Sequence, residues 1–167
     1  GTGNFKQNGQ NIHENISLEH DYVLKYKKEV FENNSIDFDQ SKMEVLNAGP
    51  VKHLKTSIIG EFKGDVFSII DKLHPTPAVC GYPQTVTRIF IRNEEDFDRS
   101  LYTGYIGPVF NGEPELYVNL RCVQLQADKA ILYAGGGVIK DASIEDEWNE
   151  TEKKIETILP HLTGSDE

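Results

Sequence analysis

A β-prone stretch that runs into three consecutive glycines, with a charged helix close behind it, restricts the fold of this chain more than any other feature. The stretch covers residues 130–139, and its glycines occupy positions 135–137. Consecutive glycines allow sharp bends and let another group approach the backbone closely. In the helix pattern that follows, Glu147, Glu150 and Lys154 lie along one side because their spacing matches the helical repeat. Two carboxylates and an ammonium beside such a turn would suit an anion that is bound through a metal ion.

The composition is typical of one soluble folded domain and excludes several function classes. Of the 167 residues, 38% are hydrophobic and 26% are charged, which is enough apolar material for a single core. The net charge of −10 argues against a nucleic-acid or anionic-membrane partner, since both would require a basic face. No stretch approaches the ~20 apolar residues of a membrane span, and no signal-peptide pattern opens the chain. We therefore expect a cytoplasmic protein without a membrane partner.

The order of helix and strand patterns predicts an α+β layered domain over residues 18–167, preceded by a flexible lead-in over residues 1–17. Apolar side chains at steps of three and four residues predict helices, and these cover residues 16–32, 65–73, 83–91 with a continuation or restart over 94–99, and 143–160. Asp65 and Ser143 are the predicted caps of the second and the last of these helices. Trp148 belongs to the apolar stripe of the last helix, and Pro160 closes that helix. β-prone runs predict strands, and these cover residues 43–48, 51–62, 100–110, 116–126 and 130–139. The short connections between the last three strands favour antiparallel pairing.

Arg121 is a candidate ligand group because the alternation of residues 116–126 places it in the middle of a strand. Charged side chains are unusual there unless they are paired. The guanidinium either meets an acidic partner or solvent, or it binds a carboxylate through two parallel hydrogen bonds. The residue pattern leaves both interpretations open.

Purely structural interpretations also stay open for the other candidates. The charged side of the last helix can be a solvated face, and Glu19 can be a surface residue of the first helix. His74 lies in a proline-rich segment that holds it rigidly, which suits a substrate contact and a packed histidine equally well. Cys80 and Cys122 lie in apolar contexts and are interpreted as small core residues.

Five ordered motifs resemble those of the chorismate-utilising enzymes, a family that includes isochorismate, salicylate, anthranilate and aminodeoxychorismate synthases. The motifs are HPTPAVCGYP at 74–83, FDRSLYTG at 97–104, LRC at 120–122, YAGGG at 133–137 and EWNETEKK at 147–154. The HPTPAV form is most similar to that of the isochorismate synthases. The resemblance covers residues 19–162 and implies antiparallel sheets packed face to face with outer helices.

The resemblance implies a Mg²⁺ site. Glu19, in the Glu-His pair of the first helix, and Glu150 correspond to the family's metal ligands, and Glu147 lies nearby as a water-mediated ligand. The ion would bridge these carboxylates to the ring carboxylate of chorismate. Oxygen ligands completed by water and substrate are the coordination that Mg²⁺ prefers.

The resemblance also implies a set of substrate contacts. Arg121 and Tyr102 correspond to contacts with the enolpyruvyl carboxylate, and the Gly135 backbone would close around the same group. Lys154 corresponds to a further carboxylate contact, and His74 would line the pocket near the ring.

The activity that the resemblance implies is the conversion of chorismate to isochorismate, in which water adds at C2 and the C4 hydroxyl leaves. In the family a lysine base and a glutamate acid come from the amino-terminal half of the domain, and neither motif is found in this chain. We therefore expect a carboxyl-terminal portion that is inactive alone and that self-associates through the surface left by the missing half. The alternatives are a portion of an anthranilate, aminodeoxychorismate or salicylate synthase, a non-catalytic anion-binding domain, or an α+β domain with a merely solvated acidic helix.

Overall fold

The chain divides into two units, Gly1–Glu95 and Asp96–Glu167. In the computed structural model the described residues are 2–3, 11–48, 51–140 and 142–163. Both units combine helices with antiparallel strands, so the predicted α+β class is confirmed. Within these described ranges no helix is long and apolar enough to cross a membrane.

Helix α1, Asn11–Asn33, dominates the first unit. It begins earlier than predicted, so the lead-in predicted over residues 1–17 is wrong for residues 11–17, which are helical. Residues 1 and 4–10 of that lead-in lie outside the described residues. The helix ends where the sequence predicts, because the side-chain amide of Asn34 donates to the carbonyl of Val30 at 2.7 Å and satisfies one of the terminal carbonyls.

Two antiparallel sheets accompany α1. The strands are β1 (Thr2–Gly3), β2 (Phe38–Gln40), β3 (Glu44–Ala48), β4 (Val51–Lys55) and β5 (Ile58–Gly60). The order in the larger sheet is β1-β4-β3, and β2 pairs with β5. The single strand predicted over residues 51–62 is therefore two strands, which pair with different neighbours. Ser41 marks the exchange, since its amide donates to the carbonyl of Ser57 at 2.9 Å and its hydroxyl accepts from the amide of Ser57 at 3.0 Å.

Three more helices lie in the described part of the first unit. They are α2 (Val66–Leu73), α3 (Pro77–Cys80) and α4 (Gln84–Glu94). Asp65 caps α2 as predicted, and its carboxylate accepts from the amide of Phe67 at 3.2 Å. The predicted continuation of α4 over residues 94–99 is wrong, because the chain turns there and Asp98 accepts from the amide of Ser100 at 2.8 Å.

The core of the first unit lies between α1 and α2. Val30, Ile36 and Ile69 are buried, and four half-buried side chains pack against them, namely Tyr26, Phe31, Phe62 and Leu73. Cys80 is also buried and Cys122 of the second unit is half-buried, and neither forms a disulfide. The predicted apolar stripes of the two helices therefore form a core by facing each other.

The described part of the second unit contains three two-stranded antiparallel ribbons. Their strands are β6 (Tyr105–Ile106) with β9 (Tyr117–Val118), β7 (Val109–Phe110) with β8 (Glu113–Pro114), and β10 (Cys122–Leu125) with β11 (Ala130–Tyr133). The predicted antiparallel pairing is confirmed, but the long strands predicted over 100–110 and 116–126 are interrupted. At Gly107 the carbonyl of Glu115 comes so close that a Cβ would lie 1.9 Å from its oxygen. The interruption there requires glycine.

Two helices end the second unit, α5 (Ile144–Glu156) and α6 (Leu159–Thr163). Ser143 caps α5 as predicted, since its hydroxyl accepts from the amide of Asp146 at 3.3 Å. Pro160 was expected to close this helix, but α5 ends before it and Pro160 lies within α6. Trp148, predicted to face the core, is 65% exposed.

Ile69 offers a test of the first core. We expect Ile69→Ala to lower the free energy of unfolding by about 2–5 kcal/mol, because the side chain is only 5% exposed and its loss leaves a cavity. The matched control is Ile89→Ala on α4, where the side chain is 58% exposed and the expected change is within about 0.5 kcal/mol. Urea unfolding measures both, and equal effects would contradict the described core.

Candidate functional site

Helix α5 and the glycine turn after β11 meet through Lys154. Its ammonium forms an ion pair with the Glu150 carboxylate, with Nζ 2.7 Å from Oε1. The same ammonium donates to the carbonyl of Gly135 at 3.1 Å. The structure thus brings together three residues that the sequence predicts to be neighbours, and it places a cation directly against the turn.

Glu147 lies beside the same turn. A Cβ at Gly136 would lie 3.3 Å from Oε2 of Glu147 and 3.8 Å from Nζ of Lys154, so glycine leaves just enough room for both side chains. The pKa of Glu147 is raised above its ordinary value, first by partial burial and then by the negative charge of Glu150, while Lys154 opposes the shift. Two carboxylates therefore lie beside one ammonium here, an arrangement that favours a further cation.

Tyr102 anchors the other side of the turn. It is 8% exposed and is the only buried residue in the part of the second unit that the structure describes. Its ring stacks on Tyr133 with centroids 5.5 Å apart, and the Arg99 guanidinium lies 5.9 Å from its centroid. A Cβ at Gly135 would lie 2.6 Å from the Tyr102 hydroxyl oxygen. The predicted site residue Tyr102 thus contacts the predicted site residue Gly135.

The motif in the sequence pointed to Tyr102 but not to the residues that hold it in place. The amide of Thr103 donates to the carbonyl of Asn119 at 2.8 Å, and the side-chain amide of Asn119 donates to the carbonyl of Leu101 at 2.8 Å. Thr103 has a positive φ of 64°, which is uncommon for a residue with a branched side chain. Asn119 holds this turn on both sides of Tyr102. The available signal in the sequence was Tyr133, a half-buried aromatic just before the glycines.

Arg121 requires a correction. It was predicted in the middle of a strand, but it lies in a bend between β9 and β10 with φ 49° and is exposed. The alternation of side chains therefore does not continue through it. Among the described residues no hydrogen bond or ion pair joins Arg121 to the group around Lys154.

Glu19 and His74 belong to the first unit. Glu19 is half-buried on α1, and its neighbour His20 makes a 2.8 Å hydrogen bond between Nε2 and the Thr56 hydroxyl. Burial lowers the pKa of His20 below its ordinary value. His74 follows α2, and its amide donates to the carbonyl of Ile70 at 3.0 Å.

The donor set of the second unit fits part of a magnesium site. Glu147 and Glu150 supply carboxylate oxygens close to one another, and Mg²⁺ commonly binds through one or two carboxylates and keeps several waters. Over the described ranges of the chain, no group of three His, Cys, Asp or Glu side chains could hold a metal ion. A complete site would therefore need oxygens beyond those of α5.

The sequence that carries this glycine turn, the two carboxylates and the lysine matches a known protein family. The family model of the chorismate binding enzymes matches residues 10–163. The chain belongs to the chorismate binding enzyme family. The expected resemblance is thereby confirmed, and the match covers all eight of the predicted site residues, which are Glu19, His74, Tyr102, Arg121, Gly135, Glu147, Glu150 and Lys154.

Several relatives within this chorismate binding family are isochorismate synthases. Isochorismate synthase 2 of Arabidopsis thaliana is 42% identical over 67% of the chain and 20% of the relative. DhbC of Bacillus subtilis is 36% identical over 71% of the chain and 31% of the relative. EntC of Escherichia coli is 32% identical over 84% of the chain and 37% of the relative. The chain thus spans a fifth to two fifths of the length of these relatives.

Two solved structures share the fold. A Bacillus anthracis DhbC, described as a 2,3-dihydroxybenzoate-specific isochorismate synthase, superposes with a TM-score of 0.75 at 34% identity, over 87% of the chain and 40% of that protein. The menaquinone-specific isochorismate synthase MenF of Escherichia coli superposes with a TM-score of 0.78 at 28% identity, over 85% of the chain and 33% of that protein. The chain therefore has the fold of the corresponding part of these enzymes.

The charges around Glu147 predict opposite effects of two substitutions. We expect Glu150→Gln to lower the pKa of Glu147 toward its ordinary value of 4.5, because a neighbouring negative charge is removed. We expect Lys154→Met to raise the pKa of Glu147 further, because the opposing positive charge is removed. Carbon-13 NMR titration of the Glu147 carboxyl group measures both, and shifts in the same direction would contradict the described cluster.

Proposed function

We propose that the chain is a carboxyl-terminal portion of an isochorismate synthase, which converts chorismate to isochorismate with Mg²⁺. The observation that carries the proposal is the contact of Lys154 with Gly135 and Glu150. It joins two of the motifs on which the family resemblance rests. The identity of 32–42% to isochorismate synthases supports this member of the family over the others.

The protein must bind a substrate with two carboxylates although its net charge is −10. Positive charge must therefore be supplied locally, where the surroundings screen it less than water does. Glu19 and Glu150 are the proposed Mg²⁺ ligands, with Glu147 acting through water. The carboxylates of Glu147 and Glu150 beside the single ammonium of Lys154 support a cation there. When bound, Mg²⁺ would neutralise the ring carboxylate of chorismate.

Lys154 is the proposed contact to a substrate carboxylate. A lysine ammonium has three N–H donors. Within the described residues, Lys154 uses donors toward the Gly135 carbonyl and the Glu150 carboxylate. One further N–H can then point to a ligand in the same turn, and a charge-assisted hydrogen bond of this kind contributes about 1.5–3 kcal/mol.

The remaining substrate contacts surround the enolpyruvyl group and the ring. Tyr102 and the Gly135 backbone, which lie against each other, would bind the enolpyruvyl carboxylate. Arg121 would reach the same group from its exposed bend, and His74 would lie near the ring. Exposure leaves the Arg121 guanidinium able to pair with a carboxylate of the substrate.

The chemical step needs a base that activates water at C2 and an acid that protonates the hydroxyl leaving C4. We place neither group in this chain, and we propose that a lysine and a glutamate outside it fill these roles. The chain would then bind the substrate and the metal without turning chorismate over. Cytoplasmic location belongs to the same proposal. The proposed pathways are siderophore and menaquinone synthesis, and one similar protein is a vibriobactin-specific and another a menaquinone-specific isochorismate synthase.

Calorimetry with chorismate tests the proposal. We expect binding that requires Mg²⁺, and we expect Glu150→Ala to weaken it by about 10- to 100-fold, the loss of a charge-assisted contact. The matched control is Glu152→Ala, an exposed carboxylate on the same helix, which should bind as the unaltered chain does. Equal binding in both variants, or isochorismate released by the chain alone, would contradict the proposal.

We also expect the chain to self-associate, because many apolar side chains of the second unit are exposed. We expect light scattering to show dimers or larger species. Leu125→Asp should reduce them because it replaces a leucine that is 73% exposed. Gln126→Asp adds the same charge next to it without removing an apolar group. A strictly monomeric chain, or the same loss of association in both variants, would count against this expectation.

A further inference from the structure

We propose that Tyr26 and Gln84 are positioning residues that fix His74 by holding the carbonyl groups on both sides of it. The inference rests on the proposed function in one respect, namely that His74 lines the chorismate pocket. It assigns a role to two residues, one at the middle of α1 and one at the start of α4, that no motif includes.

Three hydrogen bonds carry the inference. The Tyr26 hydroxyl donates to the carbonyl of Lys72 at 2.7 Å. The side-chain amide of Gln84 donates to the carbonyl of Pro75 at 2.7 Å and to the Tyr26 hydroxyl at 2.9 Å. These bonds form a continuous path from the carbonyl of Lys72 to that of Pro75, and His74 lies between the two.

The backbone around His74 needs such support. Lys72 lies in the last turn of α2, where carbonyl groups lack partners within the helix. Pro75 has no N–H, and residues 74–76 lie between α2 and α3 outside any helix or strand. The amide of His74 donates to the carbonyl of Ile70. The carbonyl of Lys72 accepts from Tyr26, and that of Pro75 accepts from Gln84 at 2.7 Å and from the Cys80 thiol at the longer distance of 3.6 Å.

Tyr26 is itself firmly held. It packs against the buried cluster of Val30, Ile36 and Ile69, so its hydroxyl has little freedom to move. Burial raises the pKa of Tyr26, and the hydroxyl therefore stays a donor over the neutral range. Tyr26 also lies two helical turns from Glu19 on the same face of α1. The residue thus connects the helix that carries a proposed metal ligand with the segment that carries His74.

The test compares two variants with a matched control. Tyr26→Phe removes only the hydroxyl, and Gln84→Met keeps the length of the side chain but removes the amide. The control is Tyr22→Phe, one turn earlier on α1, where the ring stacks on Tyr82 at 5.0 Å and the stacking survives the change. Long-range proton–nitrogen NMR of the His74 imidazole is the measurement, with circular dichroism to verify the fold.

We expect a single narrow set of His74 signals in the unaltered chain and in Tyr22→Phe. Tyr26→Phe and Gln84→Met should broaden or split these signals and move the His74 titration midpoint. The double variant should change them no more than Gln84→Met does alone, because the three bonds act as one unit. Unchanged His74 signals in both folded variants would overturn the proposal. Loss of the fold in Tyr26→Phe would also overturn it, since the hydroxyl would then serve folding alone.

Chorismate calorimetry on the same variants separates this inference from the proposed function. If the unaltered chain binds no chorismate, the proposed function fails, while the NMR comparison still decides whether Tyr26 and Gln84 hold His74. If it binds, we expect both variants to weaken binding by about fivefold, the effect of one misplaced hydrogen bond. Full affinity together with altered His74 signals would overturn the role of this positioning in substrate binding.

Discussion

The bond between the Lys154 ammonium and the Gly135 carbonyl is the interaction on which the candidate site depends. As an i,i+4 ion pair near the surface, Lys154 with Glu150 contributes only about 0.3–0.5 kcal/mol. The bond from Lys154 to Gly135 matters for its geometry, because it places the ammonium of an α5 residue against the backbone of the turn. The turn can accept it because it lacks side chains at positions where a Cβ would meet the Tyr102 hydroxyl or the Glu147 carboxylate.

The charge distribution follows from the same contact. Lys154 pairs with Glu150, and a second carboxylate, Glu147, lies beside the same ammonium with a pKa raised first by burial and then by the charge of Glu150. Under the proposed function, a protein with net charge −10 would have to concentrate cations where the substrate carboxylates bind. A lysine on the turn and a divalent ion at the carboxylates would together do this, which is why the proposed function includes both.

The two units obtain their order in different ways. The first unit has a core between α1 and α2, and its side-chain hydrogen bonds extend from that core through Tyr26 to the segment of His74. In the described part of the second unit Tyr102 alone is buried, and two-stranded ribbons of this kind are only marginally stable by themselves. The placement of the His74 segment therefore depends on half-buried Tyr26 in the first unit, and the placement of Gly135 depends on buried Tyr102 in the second.

Local signals in the sequence predicted the helices well. Asp65 and Ser143 cap helices as expected, since capping involves residues only two or three positions apart. The strands were predicted less well, because β propensity does not show where a chain changes partner. Arg121 illustrates this, since the amide of nearby Asn119 donates to the carbonyl of Gly104 and the strand ends before the arginine. Alternation alone gave no sign of the positive φ at Arg121.

By itself, then, the sequence determined the family through its motifs, and it determined that Glu147, Glu150 and Lys154 share one side of a helix. The regular geometry of a helix makes such neighbours predictable from spacing alone. Only the tertiary structure decided that Lys154 meets the carbonyl of Gly135, 19 residues away, and that Arg121 leaves the strand. Contacts between distant residues depend on how separate elements pack, and no local spacing encodes that packing.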